Sequence, residues 1–352
     1  MRIGLYGLPT AGKSYVLSAV RNLEVLSGST LLKEIAPEFH ELSKKMKAAA
    51  RIELAKKLAQ KENFIMDGHY SFGDNVVFTE ADGQLYDVFL YLYVEPAILT
   101  ERMKNSIRNS KYLKYDLNQW QKYEIESLRN YCHLNNKDFY VIDNQVKGFF
   151  PDISMVLEFI DNVVCGYSCV NYARKVADLV PECEVISLLD GDRTFIKEDS
   201  CAVLGYKTHI YDGNFYSGFQ EWRHNRELAD YLRLIDYKGK NIDDMNLTIN
   251  QKVLDKTEGL KIILTSGHYE TWRQIAYKYN LPLYYGAKMC ADTKYFITKF
   301  IQDRGIRTIA FGDSMNDYYM LRQADKAYLV LKKDGSISSS IEKRELEGFF
   351  FV

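Results

Sequence analysis

No run of apolar residues in this chain approaches about 18, the length a membrane-crossing helix needs, so no such helix is expected. An excess of either charge is also lacking: 46 Lys and Arg face 47 Asp and Glu, a net charge of -1. That balance argues against a dedicated nucleic-acid coat and against a polybasic membrane anchor, while leaving room for a local basic groove. The six cysteines lack the paired spacing of a zinc site. Only Cys165 and Cys169 lie one helical turn apart, and no second pair accompanies them. Core or surface thiols in a reducing, cytoplasmic compartment are therefore expected. The opening "MRIGLYGLPTAGKS" is no secretion signal, because its apolar stretch is short and meets glycines and a lysine. Low-complexity linkers and internal repeats are missing too. The 352 residues, 47% of them hydrophobic, suffice for about two globular domains.

The first half opens with a short apolar strand, "MRIGL". "GLPTAGKS" at 7–14 follows, fitting G-x-x-x-x-G-K-[ST] without a mismatch, and then the helical pattern "SYVLSAVRNL". Gly7 and Gly12 let the backbone curl so that its N–H groups face phosphate oxygens, and the helix start adds positive dipole. Lys13 would reach the β/γ-phosphates of ATP, and Ser14 would hold Mg2+. Beyond lie a helical stretch at 37–62, a strand in "NFIMDGHYSF" ending at Asp67, and a strand at 86–94. A helical stretch at 96–132 and a strand at 138–144 come next. Strands alternating with helices predict an α/β, doubly wound parallel sheet. An amphipathic helix bounded by glycine and proline, within 145–165, closes this domain near residue 164.

With "GLPTAGKS", "FIMDGHY" and "VEPAILTERMKNSIRNS", residues 1–160 resemble nucleoside-phosphate kinases of the compact, adenylate-kinase-like kind. The resemblance makes "ERMKNSIR" the start of a lid whose Arg102 and Arg108 clamp the transferring phosphate. On an unbroken helix these two share nearly one face. It makes Asp67 a catalytic base or an outer-sphere partner of Mg2+. Arg51 becomes a candidate ligand of the phosphate acceptor, and His69 a lesser candidate. No aspartate stands soon after the second strand, around "STLLKEIA", where phage-type polynucleotide kinases place their base; Glu34 is the nearest substitute.

The second half turns on "VISLLDGDRTFI" at 185–196. An apolar strand ends in Asp190, and Asp192 stands one glycine later. Burying unpaired carboxylates is costly, so the pair implies chemistry. Downstream, "KIILTSGH" ends a strand at Thr265 and Ser266, "TKYFITKF" starts a helix with Lys294, and "TIAFGDSMND" ends a strand at Asp313, with Asp317 four residues on. These four ordered motifs resemble the haloacid dehalogenase (HAD) phosphatase superfamily over about 170–352. The resemblance makes Asp190 a nucleophile that forms an aspartyl-phosphate, and Asp192 the general acid and base. Asp192 also lends a backbone carbonyl to the metal. Asp190, Asp313 and Asp317 take Mg2+, with Asp317 in an outer role or orienting Lys294, as Asn316 does in turn. Ser266, or alternatively Thr265, binds the phosphoryl oxygens, and Lys294 neutralises them. Asp192 favours phosphate chemistry over dehalogenation, with a phosphomutase as a minor alternative.

Between the first two motifs, about 198–258, an insertion rich in helix signals resembles a cap that closes over small substrates. Asp199, Trp222, Arg223 and Arg226 are its candidate specificity residues. The expected chain is thus 1–164, a P-loop kinase-like domain, and 165–352, a HAD-type phosphatase domain. Together they form a bifunctional enzyme using ATP and Mg2+ on a small phosphorylated metabolite or nucleotide. The alternatives are a polynucleotide 5′-kinase/3′-phosphatase and a phosphatase regulated by nucleotide at the phosphate loop.

Overall fold

The computed structural model describes residues 1–143 and 153–352. The chain divides into two compact units, Met1–Tyr167 and Ser168–Val352. Among the described residues no single helix is long and apolar enough to cross a membrane.

The first unit is an α/β layer built on a parallel sheet. Its strands are β1 (Arg2–Tyr6), β2 (Glu24–Leu26), β3 (Phe64–Asp67), β6 (Val88–Tyr93) and β7 (Asp138–Asp143), in the order β2-β3-β1-β6-β7. A small antiparallel hairpin, β4 (Ser71–Phe72) with β5 (Asn75–Val76), stands apart from it. The central strands are buried on both faces, which is why they read as continuous apolar runs. The chain leaves β1 toward β2 on one side and crosses from β3 to β6 on the other. This reversal opens a crevice at the carboxyl ends of the strands.

The structure corrects three expectations. Helix Gly28–Ile35, capped by Ser27, takes up all of "STLLKEIA" but its last residue, and Glu34 lies exposed on it. The helix expected over 37–62 is confined to Lys44–Leu58, because Ser43 accepts a hydrogen bond from the Met46 N–H and starts it there. The long helix over 96–132 is broken. Pro96–Lys104 ends at Asn105, Ser110–Lys114 is a 3-10 turn, and Leu117–Leu134 starts afresh because Asp116 accepts from the N–H groups of Asn118 and Gln119. Helix Ile153–Val164 closes the unit; the glycine and proline expected to bound it lie outside the described residues.

The second unit is a six-stranded, wholly parallel sheet. β8 (Val185–Asp190), β9 (Leu260–Thr265), β10 (Leu283–Tyr285), β11 (Arg307–Gly312), β12 (Lys326–Leu329) and β13 (Phe350–Phe351) run in the order β10-β9-β8-β11-β12-β13. Apolar clusters cover both faces, one under helices Cys169–Leu179 and Ala291–Gln302, the other around Trp272 and Phe195. After β8 the chain makes a single wide turn, Gly191–Phe195, with Arg193 at φ 61. The turn is tight enough that a Cβ on Gly191 would stand 2.5 Å from Thr265 Oγ1. Ile196 then pairs antiparallel with Ile249, so the intervening segment leaves and returns through one narrow stalk. Helices Ser200–Val203 and Gly218–Leu234 occupy that segment.

One buried polar knot in the first unit is structural. Glu124, on the apolar face of helix Leu117–Leu134, is 1% exposed. It accepts from Ser71 N (2.9 Å), Ser71 Oγ (2.6 Å), Trp120 Nε1 (3.0 Å) and the Tyr91 hydroxyl (3.0 Å). Glu124→Ala strips several buried donors of their acceptor, each costing about 1–3 kcal/mol. A loss of about 3 kcal/mol is expected in urea unfolding of the full chain. A loss below about 1 kcal/mol would mean that water replaces the carboxylate without penalty.

Candidate active sites

The phosphate loop of the first unit leaves β1 at the crevice. Gly7 (φ 145) and Gly12 (φ 102) adopt backbone conformations that side chains disfavour, and Thr10 joins them at φ 67. A Cβ on Gly7 would press within 2.8 Å of the Leu92 carbonyl oxygen, so glycine is required there. Lys13, the first residue of helix Lys13–Ala19, is buried. Its ammonium donates back to the Gly7 carbonyl and to that of Leu8 (3.1 Å). Burial lowers its pKa to about 8, against the opposing pull of Glu124 and Asp67. Ser14 is exposed at the helix start and lines the same cavity.

That cavity measures about 1020 Å3 and runs from the phosphate loop to Arg51, Asp82 and Tyr86. Lys13, Lys44, Lys47, Arg51, Arg108 and Lys111 line it, against the carboxylates of Asp67 and Asp82. This excess of positive charge suits a polyanion. Asp67 ends β3, the neighbour of β1, and Oδ1 accepts from the Gly28 N–H at 3.0 Å. His69 lines the cavity with its ring 4.6 Å from that of Phe72, and among the described residues its buried Nδ1 has no hydrogen-bond partner. Burial, then the charges of Lys13, Arg51 and Arg108, hold it well below the usual imidazole pKa, so it is neutral.

The two lid arginines part company. Arg102 Nη1 donates to the carbonyls of Thr10 (3.2 Å) and Ala11 (3.4 Å), bracing the loop from behind. Arg108 lies past the helix break at Asn105 and lines the cavity. They do not share one helical face. Glu34 does not line the cavity.

In the second unit the expected residues converge at the carboxyl ends of β8, β9 and β11. Lys294 is fully buried on helix Ala291–Gln302. Its ammonium donates to Asp190 Oδ1 (2.6 Å) and to Asp317 Oδ1 (2.7 Å). The other oxygen of Asp317 accepts from the N–H groups of Asp313 and Ser314, each at 3.2 Å. Burial lowers the Lys294 pKa, but Asp190 and Asp317 outweigh it and the net shift is upward. Burial and the Asp317 charge raise Asp190 to about 6, and burial with Asp190 and Asp317 raises Asp313 well above its ordinary value. One carboxylate oxygen from each of Asp190, Asp313 and Asp317 lies within 4.8 Å of the others. Among the described residues Asn316 Oδ1, buried, has no hydrogen-bond partner. Three crowded carboxylates against a single ammonium form an oxygen donor set short of positive charge, which fits Mg2+.

Asp192 stands outside this set. Its carboxylate accepts from Ser200 N (2.9 Å), Ser200 Oγ (2.9 Å) and Trp272 Nε1 (3.1 Å). Burial, then the charge of Asp199, raises it to about 7. Thr265 is buried, and its hydroxyl accepts from the Gly267 N–H at 3.0 Å. Ser266 is one step beyond the strand, with its hydroxyl 3.5 Å from Asn316 Nδ2. The geometry thus favours Ser266 for the phosphoryl group.

The inserted segment spends its candidate residues on its own fold. Asp199 caps Ser200–Val203 and pairs with Arg193 at 2.7 Å. Trp222 is buried against Phe219, Arg226 lies over its ring, and Arg223 pairs with Glu227. Ser200 and Trp272, which hold Asp192, have no motif to announce them. Asp82 did carry one: "TEAD" at 79–82 spells the capping box that the structure shows.

No protein-family model matches this chain, and no curated protein matches it. Among solved structures it is similar to a shikimate kinase from Bacteroides thetaiotaomicron, at 17% identity and a TM-score of 0.33, over 47% of this chain and 98% of that one. It is similar to a HAD-family hydrolase from Salmonella enterica serovar Typhi at 19% identity and a TM-score of 0.29, over 43% of this chain and 64% of that one. A substrate-bound phosphoserine phosphatase is matched at 13% identity and a TM-score of 0.31, over 44% of this chain and 89% of that one. Each likeness concerns less than half of the present chain.

Metal affinity at the second site is open to direct measurement. Mg2+ at about a hundred times its Kd is expected to stabilise that unit by about 2.7 kcal/mol, a rise of about 5–10 °C in its calorimetric transition. Asp313→Asn should remove the rise. Its persistence in that variant would place the ion elsewhere.

Proposed function

We propose that this chain is a bifunctional phosphate-handling enzyme. Its first unit is an ATP-dependent kinase for a small acceptor of the nucleoside or nucleotide class. Its second is a Mg2+-dependent phosphomonoesterase. The observation that carries the proposal is the position of each site. Each unit gathers phosphate-binding groups at the carboxyl ends of its own parallel strands, around Lys13 in one and around Lys294 with Asp190, Asp313 and Asp317 in the other.

In the hydrolase, Asp190 attacks phosphorus while the bond to the leaving oxygen breaks, and Asp192 gives that oxygen its proton. Water then attacks the aspartyl-phosphate, Asp192 takes the proton, and inorganic phosphate leaves with the Asp190 carboxylate restored. Lys294 and Ser266 hold the phosphoryl oxygens. Mg2+, held by Asp190, Asp313 and Asp317, supplies charge against which the anionic phosphate can approach the anionic nucleophile. In the kinase the loop N–H groups and Lys13 hold the donor phosphates, and Arg108 meets the transferring group. Ser14 would be the hydroxyl for the nucleotide-bound Mg2+, with Asp67 lining the same cavity. Arg102 acts indirectly by fixing the loop.

The cationic lining of the first cavity gives weight to a second reading, a polynucleotide 5′-kinase/3′-phosphatase. An ATP-consumption screen decides between them. It uses Asp190→Asn protein, so that product is not erased, with nucleosides, nucleoside monophosphates and a 5′-hydroxyl oligonucleotide. Labelled mononucleosides or mononucleotides are expected; labelling of the oligonucleotide alone would replace this proposal by end repair. In the unmodified chain, ATP binding that alters hydrolase rate without ATP turnover would make the first unit a regulator.

The two activities should also separate by mutation. Lys13→Ala is expected to lower phosphate transfer more than about 100-fold and leave hydrolysis of a generic phosphomonoester intact. Asp190→Asn should lower hydrolysis more than about 10,000-fold and spare transfer. Loss of both activities in a folded Lys13→Ala protein would refute independent sites.

A further inference from the structure

One residue of the turn after β8 has no part in the chemistry proposed above. Arg193 directly follows Asp192 and adopts φ 61 and ψ 2, in the left-handed region. A side chain strains the backbone there, and such strain persists where the surrounding structure imposes it. The turn is fixed on both sides. The Arg193 N–H donates to the Glu198 carbonyl at 2.9 Å, and the Ile196 N–H donates to that of Gly191 at 3.2 Å. Glycine would take up this conformation without strain, so what the position gains from arginine lies in its side chain.

That side chain is 58% exposed. Nη2 donates to Asp199 Oδ2 at 2.7 Å, and among the described residues the other guanidinium N–H groups make no hydrogen bond. Asp199 is itself fixed, because its Oδ1 accepts from the Ala202 N–H at 2.9 Å. One carboxylate therefore holds one corner of the fork, and the remaining donors are unspent. The charge of Arg193 reaches the reaction centre. Burial lowers its pKa, but the carboxylates of Asp199, Asp313 and Asp192 outweigh that, and the net shift is upward. Asp313 responds in turn: burial, Asp190 and Asp317 raise its pKa, and the cations that oppose them are Arg193 and then Lys294. Two cations thus act on this carboxylate, Lys294 fully buried on its helix and Arg193 exposed on the turn beside Asp192.

From this placement we infer that Arg193 is a specificity residue of the hydrolase, which binds a second anionic group carried on the leaving alcohol close to the scissile bond. In the proposed chemistry the scissile phosphate already has Lys294, Ser266 and Mg2+. The leaving oxygen is met by Asp192, and Arg193 is the next residue in the chain. A planar fork with unspent donors suits a group that offers two acceptor oxygens side by side, a carboxylate or a further phosphate. A neutral leaving alcohol would leave those donors to water. This inference rests on the hydrolase reading of the second unit, and narrows its substrate class.

The test is steady-state hydrolysis by the full chain with Mg2+ on two matched pairs, phosphoglycolate with ethyl phosphate and propane-1,3-diol bisphosphate with propyl phosphate. The generic ester p-nitrophenyl phosphate is assayed beside them. The unmodified chain is expected to prefer the anionic member of at least one pair by about tenfold or more in kcat/KM, and the pair that shows it tells carboxylate from phosphate. Arg193→Met is expected to bring that ratio to within about threefold of unity, with Arg193→Lys intermediate because it keeps the charge and loses the fork. Arg193→Gly removes the side chain and the backbone strain together, so it should match Arg193→Met without the strained turn. Each result is a ratio of two substrates on one protein, so a smaller folded fraction cancels. Hydrolysis of p-nitrophenyl phosphate with no such preference, a preference that survives in both Arg193→Met and Arg193→Gly, or an equal loss on every substrate in both overturns the specificity role and leaves the hydrolase standing. Absence of all hydrolysis in the unmodified chain removes the hydrolase reading, and this inference with it.

Discussion

The buried ammonium of Lys294 is the interaction on which the second unit's site depends. It bridges Asp190 at the end of β8 and Asp317 beyond β11, strands that are neighbours in the sheet. Without a cation between them, these carboxylates would be driven apart or protonated, because burial amplifies their repulsion. With Lys294 in place the balance is still short. Asp190 and Asp313 remain raised, and the next charge to enter is favoured if it is positive. A site of this kind draws in a divalent cation first and an anionic substrate second.

The first unit handles the same problem with the opposite sign. Its cavity has more cations than acids, and its own lysine is pressed back onto the carbonyls of Gly7 and Leu8. Such an ammonium is poised to exchange weak carbonyl partners for phosphate oxygens, which are stronger, charge-assisted ones. Burial lowers its pKa, and the charges of Glu124 and Asp67 offset that only in part. The loop that surrounds it is held by Arg102, whose guanidinium donates to the Thr10 and Ala11 carbonyls.

Both candidate sites were legible because their residues sit at strand ends and helix starts, where the apolar pattern switches period and a charge stands out. Asp190, Lys294, Asp313 and Asp317 come together as their motifs imply, and Lys13 heads its helix. The partners that tune these groups were not legible, because they are held by tertiary contacts alone. Ser200 reaches Asp192 from the start of the inserted helices, and Trp272 reaches it from the helix after β9. Glu124 left a faint trace as a charge in an apolar stripe. The break after Lys104 was missed because residues 96–132 contain no glycine or internal proline to announce it; the stop is made by Asn105 and the restart by the Asp116 cap.

Asp192 serves two structures at once, the reaction centre and the inserted helices. Its three hydrogen-bond donors come from Ser200 and Trp272, and Ser200 also accepts from the His268 N–H at 3.0 Å. Asp192, the proposed general acid, is therefore tied to the first residue of the inserted helices, and those helices hang from the stalk at Ile196 and Ile249. A carboxylate held by three donors is stabilised as the anion, while burial and Asp199 push it toward the neutral acid. Near neutrality the two tendencies are balanced, which is the condition for giving a proton to a leaving group and taking one from water. Any displacement of Ser200 when the inserted helices meet a substrate alters the donors around Asp192. If Asp192 is the general acid proposed above, substrate shape would thereby be coupled to proton transfer through Ser200.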